Sequence, residues 1–235
     1  MRVLAIDTAL EACAAAVLDT GASRVIASES LGMKRGHAEA LMPLLRWVMN
    51  EAGMAFADID RIAVTTGPGS FTGIRVGLAA VRGIALATGA RPVGVTGFEA
   101  VAAGLATKAY KRGDGLLLVA LESRRDELYV QLFDHACCPL GDPTAIMPAA
   151  LDKALSGLIG RAPLVVAGDA AQRAADTPLP RSRTIVVEES APDATGVLQA
   201  VLRRARGGED RLKPLPLYLR PPDVTVSMAH QGSRR

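Results

Sequence analysis

Aromatic side chains are scarce in this chain: only 3% of its 235 residues are Phe, Trp or Tyr, and Trp47 is the single tryptophan. A core here must be built from Ala, Val, Leu and Ile, which suits an α/β protein whose parallel strands are buried on both faces. Cysteine is nearly absent. Cys13, Cys137 and Cys138 form neither a disulfide framework nor a zinc spacing, so a reducing cytoplasm is the expected setting. The three histidines, His37, His135 and His230, lie far apart with no His-x-x-x-His pair, which argues against a histidine metal centre. No Ser-His-Asp arrangement is suggested either, because Ser70 lies in a flexible turn. The chain starts directly on strand residues without a charged-then-apolar leader, and no apolar run is expected to cross a bilayer. The reading is a soluble intracellular protein with no membrane partner. Charge of one sign is also lacking: 27 basic against 24 acidic residues leave +3, which permits a nucleic-acid partner without demanding one. Arginines thicken toward the end (Arg203, Arg204, Arg206, Arg211), and a solvated helix face with a loose tail accounts for them as well as an RNA contact does.

What is present is a regular alternation of apolar runs. Val3–Ile6, Ala12–Leu18 and Arg24–Ser28 read as three strands joined by tight turns. A helix follows from about His37 to Gly53, with Leu41, Leu44, Leu45 and Val48 on one face; Pro43 predicts a bend or a late start. Then come strand Ile59–Thr66, a helix Thr72–Thr88, strand Pro92–Thr96 and a helix Phe98–Thr107. The second half repeats this order loosely. Its strands are Leu116–Leu121, Leu128–Phe133, a segment around Pro139–Met147, Leu164–Ala167 and Thr184–Val187. Its helices are Ala149–Leu158, Asp169–Ala175 and Asp193–Arg206. The β-β-β-α-β-α-β-α order is the layout of one lobe of the actin-like ATPase, or ribonuclease-H-like, fold, which carries two related lobes. The predicted division is a first lobe over 1–110, a second over 111–207 and a C-terminal extended segment with tail over 208–235. Lys111–Gly115 marks the boundary.

Two motifs point toward chemistry. Gly67-Pro68-Gly69-Ser70-Phe71-Thr72-Gly73 joins a strand to a helix, and N–H groups at such a helix start favour an anion. The Gly-Lys-Ser/Thr ending of a P-loop is missing, so a tight structural joint is an equal reading. Asp7-Thr8 ends the first strand, where a carboxylate can hold a hard cation through water and the hydroxyl can meet a phosphate. A plain turn explains the pair as readily. Asp7, Thr8, Gly67 and Gly69 are the candidate nucleotide or anion contacts.

These residues resemble the bacterial TsaB family, a paralogue of the TsaD proteins. The matching segments are Leu4–Thr8, Arg35–Glu39, Gly67–Gly77, Pro92–Val95, Ser123–Tyr129 and Tyr218–Arg220. The resemblance implies a non-catalytic, activating subunit of the machinery that makes N6-threonylcarbamoyladenosine beside the tRNA anticodon. TsaD transfers the threonylcarbamoyl group there and TsaE is also required. TsaD-like proteins hold a metal with a His-x-x-x-His pair after the strand equivalent to Pro92–Val95. Gly97 and Val101 stand in its place here, and neither can be a ligand. The resemblance further implies a heterodimer with TsaD through the first-lobe helices, a homodimer when alone, and tRNA reached through the complex. ATP or ADP at the complex interface is the one cofactor it suggests. The expected docking residues are His37, Leu41, Leu45, Trp47, Val48, Gly73, Gly77 and Ala80, the glycines supplying a small stripe for close helix approach. Gly77→Leu is accordingly expected to block a partner more than it harms the fold. The competing reading is a stand-alone nucleotide phosphohydrolase built on Asp7 and the glycine turn. A third, a peptidase, lacks both a metal pair and a nucleophile-base set.

Overall fold

The computed structural model describes residues 1–21, 24–107, 115–160, 162–179, 184–187, 192–207 and 213–220. The boundary segment Lys111–Asp114, the tail from Pro221 and His230 lie outside the described residues.

Alternation of small and β-branched residues sets the first three strands: β1 (Arg2–Asp7), β2 (Ala12–Asp19) and β3 (Arg24–Gly32), paired antiparallel in sequence. The run after the first helix, β4 (Arg61–Thr65), and then β5 (Arg91–Val95) join parallel to β1, giving the order β3-β2-β1-β4-β5. The second half repeats it. β6 (Leu116–Glu122), β7 (Leu128–Phe133) and β8 (Thr144–Ile146) form the antiparallel part; β9 (Leu164–Ala167) and β10 (Thr184–Val187) add in parallel, in the order β10-β9-β6-β7-β8. The same topology therefore occurs twice. The weak strand signal of Ala12–Ala16 is overridden by position, since β2 is central and buried on both faces.

Helices cover both faces. Helix α1 (His37–Glu51) and α2 (Phe71–Thr88) lie side by side on one face of the first sheet, where Leu41, Leu45, Val48, Ile74 and Val81 meet Leu4, Ile6 and Val64. Pro43 neither delays the start of α1 nor interrupts it. On the opposite face, α3 (Gly97–Thr107) turns Ala100 and Ala103 to the first sheet and Phe98, Val101 and Leu105 to the second. Helices α4 (Pro148–Ile159) and α5 (Ala171–Ala175) cover the far side of the second sheet. The last helix, α6 (Ala194–Gly207), grouped with the second half by its place in the sequence, instead rests on the first sheet through Val197, Leu198 and Val201. It crosses α3 closely: a Cβ at Gly196 would lie 2.4 Å from the Ala100 carbonyl oxygen. The buried Arg204 guanidinium closes that crossing by donating to the Glu99 carboxylate and the Gly94 carbonyl.

The expectation that no apolar segment reaches bilayer length needs correction. Helix α2 has 18 residues at a mean hydropathy of 1.3, long and apolar enough by composition to cross a membrane, yet only 28% of it is buried. The arginines at 75 and 82 stand exposed on it.

Candidate docking face and degenerate cleft

Parallel strands β1, β4 and β5 end at one edge of the first sheet, and their carboxyl ends bring Asp7, Thr65, Thr66 and Val95 together. Asp7 is buried there, its Oδ1 accepting the Ala9 N–H at 2.9 Å. Burial raises its pKa from 3.8 to about 6. The Ala9 N–H and the nearby Thr65 hydroxyl lower it, Asp193 raises it, and His37 lowers it slightly. Thr65 Oγ1 lies buried near the carboxyl but outside hydrogen-bond geometry. Burial also pushes the Cys13 thiol up to about 11, which leaves it inert as a nucleophile.

The glycine turn is occupied by the chain itself. Gly67, in a left-handed conformation at φ 112°, precedes Pro68 through a cis peptide bond. A Cβ at Gly69 would sit 2.3 Å from the Ala9 oxygen, and one at Gly73 2.1 Å from the Thr8 oxygen. Ser70 N–H donates to Ala9, and Ser70 Oγ caps the helix by accepting the Gly73 N–H. Thr8 Oγ1 donates to the Gly73 carbonyl. These donors serve the joint between β1 and α2, so the turn does not present the open cradle of N–H groups that a phosphate requires. Of the anion-contact candidates, Asp7 and Thr8 bind Ala9 and Gly73, Gly69 packs against Ala9, and Gly67 packs against Leu217.

The metal position is equally closed. Gly97 opens α3, where a Cβ would meet Leu121 Cδ1 and Pro192 Cγ at 3.2 Å, and Val101 is buried in the apolar layer against the second sheet. Neither residue has a donor atom on its side chain, so they do not fit a metal. Among the described residues, no three His, Cys, Asp or Glu side chains gather in a ligand set.

The cleft is bridged by charge and by the C-terminal segment. Glu11, in the β1–β2 turn, pairs with Arg124 of the β6–β7 hairpin at 3.3 Å and with Lys34 at 3.9 Å. The segment 213–220 crosses the gap: Leu217 N–H donates to the Thr66 carbonyl, and Arg220 pairs with Glu127 at 3.0 Å. A Cβ on Gly67 would meet the Leu217 oxygen at 2.8 Å, so this glycine keeps the segment seated.

The expected docking stripe needs a residue-level correction. Leu41, Leu45 and Val48 are buried within the chain, and His37 is buried with Nε2 3.1 Å from the Leu10 carbonyl oxygen. Gly73 and Gly77 face inward; a Cβ at Gly77 would lie 2.6 Å from Thr8 Oγ1 and 3.0 Å from Val64 Cγ2. Of that set only Trp47 is exposed, with Ala80 half-buried. A second small stripe, Ala79, Gly83 and Ala87, points outward, and nothing lies within 4 Å of a Cβ at Gly83. Met42 and Trp47 of α1 and Leu86 of α2 are exposed as well, the last at 89%. Phe71 and Tyr218 extend the face with ring centroids 5.4 Å apart, and the Arg75 guanidinium lies 3.6 Å over the Phe71 ring. The sequence reading missed Phe71, Tyr218 and Leu86. The signal was available in part: Phe71 and Tyr218, two of the eight aromatics, sit in segments that carried the family resemblance.

Two five-stranded sheets of identical order, packed around a shared helix with a cleft at the strand ends, make this an actin-like ATPase fold. The family model described as TsaD, tRNA N6-adenosine threonylcarbamoyltransferase, matches residues 24–173, well over half the chain. The chain belongs to that family, as a member of its TsaB branch. It is 36% identical over 129 residues to the tRNA threonylcarbamoyladenosine biosynthesis protein TsaB of Escherichia coli strain K12, a match covering 55% of this chain and 53% of that protein. The match thus spans about half the length of that relative. An uncharacterized protein of Mycobacterium tuberculosis strain H37Rv is 31% identical over 223 residues, 94% of this chain and 93% of its own. The solved structure of YeaZ from Pseudomonas aeruginosa superposes with a TM-score of 0.78 at 28% identity, covering 93% of this chain and 99% of that one.

Proposed function

We propose that this chain is the non-catalytic, activating subunit in the synthesis of N6-threonylcarbamoyladenosine on tRNA. It docks a TsaD-type enzyme through the outward face of α1 and α2, works beside TsaE, and reaches tRNA through the complex in the cytoplasm. Without that enzyme, the same face pairs two copies of this chain. The observation that carries the reading is the pairing of a closed cleft with an open helix face. Gly97 and Val101 offer no ligands, and in the glycine turn the Ser70 N–H is spent on the Ala9 carbonyl and the Gly73 N–H on Ser70 Oγ. Meanwhile α2, which in a self-sufficient domain would be covered, leaves Leu86, Phe71 and a small-residue stripe facing outward. Small residues let a second helix approach closely, and Trp47 and Phe71 have the size of interface anchors. The TsaB names of its relatives and the family model support the pathway.

The test is reconstitution. TsaD, TsaE, threonylcarbamoyl-adenylate and unmodified tRNA are incubated with and without the chain, and modified adenosine is measured by mass spectrometry. Product that depends on the chain is the expected result; equal product without it rejects the proposal.

A further inference from the structure

At the end of the first sheet opposite Asp7 lies a half-open cavity of about 460 Å³. The register sets the distance along the sheet: Asp7 pairs with Ala14, whereas the cavity borders Leu18, which pairs with Val3. Its walls are the β2–β3 hairpin and the C-terminal half of α6. Leu18, Val25, Leu202 and Ala205 make the apolar lining, and Leu18 belongs to the core layer against which Val25 and Leu202 rest. Polar groups stand at Thr20, Arg24 and Gln199. A concave site of a few hundred Å³, lined about equally by apolar and polar surface, has room for a small molecule with both kinds of group.

Its charge fixes the sign of the ligand. Arg24 is exposed and forms no ion pair among the described residues, and Thr20 and Gln199 beside it carry no charge. Among the described residues, no carboxylate lines it. Asp19, the nearest along the hairpin, turns away to accept the Gly21 N–H at 2.8 Å. The last turn of α6 adds only about half an elementary charge of negative sign, less than one guanidinium supplies. We infer that this cavity is a binding site for a small amphipathic anion, a carboxylate or phosphate monoester on an aliphatic body. Arg24 meets the head group and Leu18, Val25 and Leu202 the chain.

The experiment uses the full chain and four probes: octanoate, octyl phosphate, octylammonium and octanol. Titration calorimetry and melting curves read binding. Octanoate or octyl phosphate, or both, bind saturably and raise the melting midpoint, and the stronger of the two identifies the head group. Octylammonium binds at least about tenfold more weakly, and Arg24→Gln weakens the anions by about tenfold, the scale of one charge-assisted hydrogen bond. Leu202→Trp and Val25→Phe, which fill the space, abolish binding. No saturable binding of either anion overturns the inference. So does octylammonium binding as tightly as octanoate, or binding that survives in a filled variant that still melts cooperatively. Arg24→Gln, a surface change, decides the matter even where a filled variant fails to fold.

Discussion

A carboxyl buried beside a second carboxylate is costly to ionise, and Asp7 carries that cost at neutral pH. In the unfolded chain it loses its proton near 3.8, and in the folded chain near 6. Between those values the folded state binds more protons, so this group lowers stability as pH rises, and its cost is complete above about pH 6. Asp7→Asn keeps the acceptor for the Ala9 N–H and removes the charge. It is predicted to stabilise the protein by about 2–3 kcal/mol at pH 7, with the gain vanishing near pH 4. Urea denaturation at the two pH values measures this; equal stability of both proteins at pH 7 counts against the burial argument. The sequence showed the residue, but its surroundings were out of reach. That Ser70 spends its N–H group on Ala9 follows from how β1 meets α2, a contact between residues more than sixty positions apart.

Helix faces were legible only in part. Periodicity located α2 within one residue at its start and marked a small-residue stripe on it. It could not say whether that stripe faces the sheet, because glycine serves close approach to a strand as well as to a helix. Gly73 and Gly77 are small for Thr8 and Val64 of their own sheet. Gly77→Leu is therefore predicted to cost about 3 kcal/mol or more of stability by overpacking. Leu86→Glu, on the exposed side, should leave the melting midpoint within about a degree and weaken partner binding by about tenfold or more. Thermal melts beside a pull-down on both variants separate the two roles; a stable Gly77→Leu protein would contradict the inward assignment. The crossing of α3 and α6 holds the other tight small-residue contact, through Gly196 and Ala100. Arg204→Met there leaves Glu99 without its cation, a predicted loss of about 3 kcal/mol readable by denaturant titration. Adding Glu99→Gln should restore part of it.

For the whole molecule, the duplicated strand order was the most legible feature, because each apolar run is bounded by turn residues and the antiparallel and parallel portions recur in the same sequence. The path of α6 was not. Its amphipathic pattern identifies a helix but names no sheet, and only the folded chain shows it returning to the first one. The cleft bridges Glu11–Arg124 and Arg220–Glu127 were invisible for the same reason: each joins segments distant in the chain. The molecule that results has its strand-end joint closed by its own backbone and an apolar helix face turned to solvent. The most direct measurement of that account is a calorimetric titration of purified TsaD-type enzyme with this chain and with its Leu86→Glu, Phe71→Ala variant. The account predicts a saturable complex for the parent and a loss of about a hundredfold or more in affinity for the variant, with its fold unchanged. Equal affinity of the two proteins would contradict it.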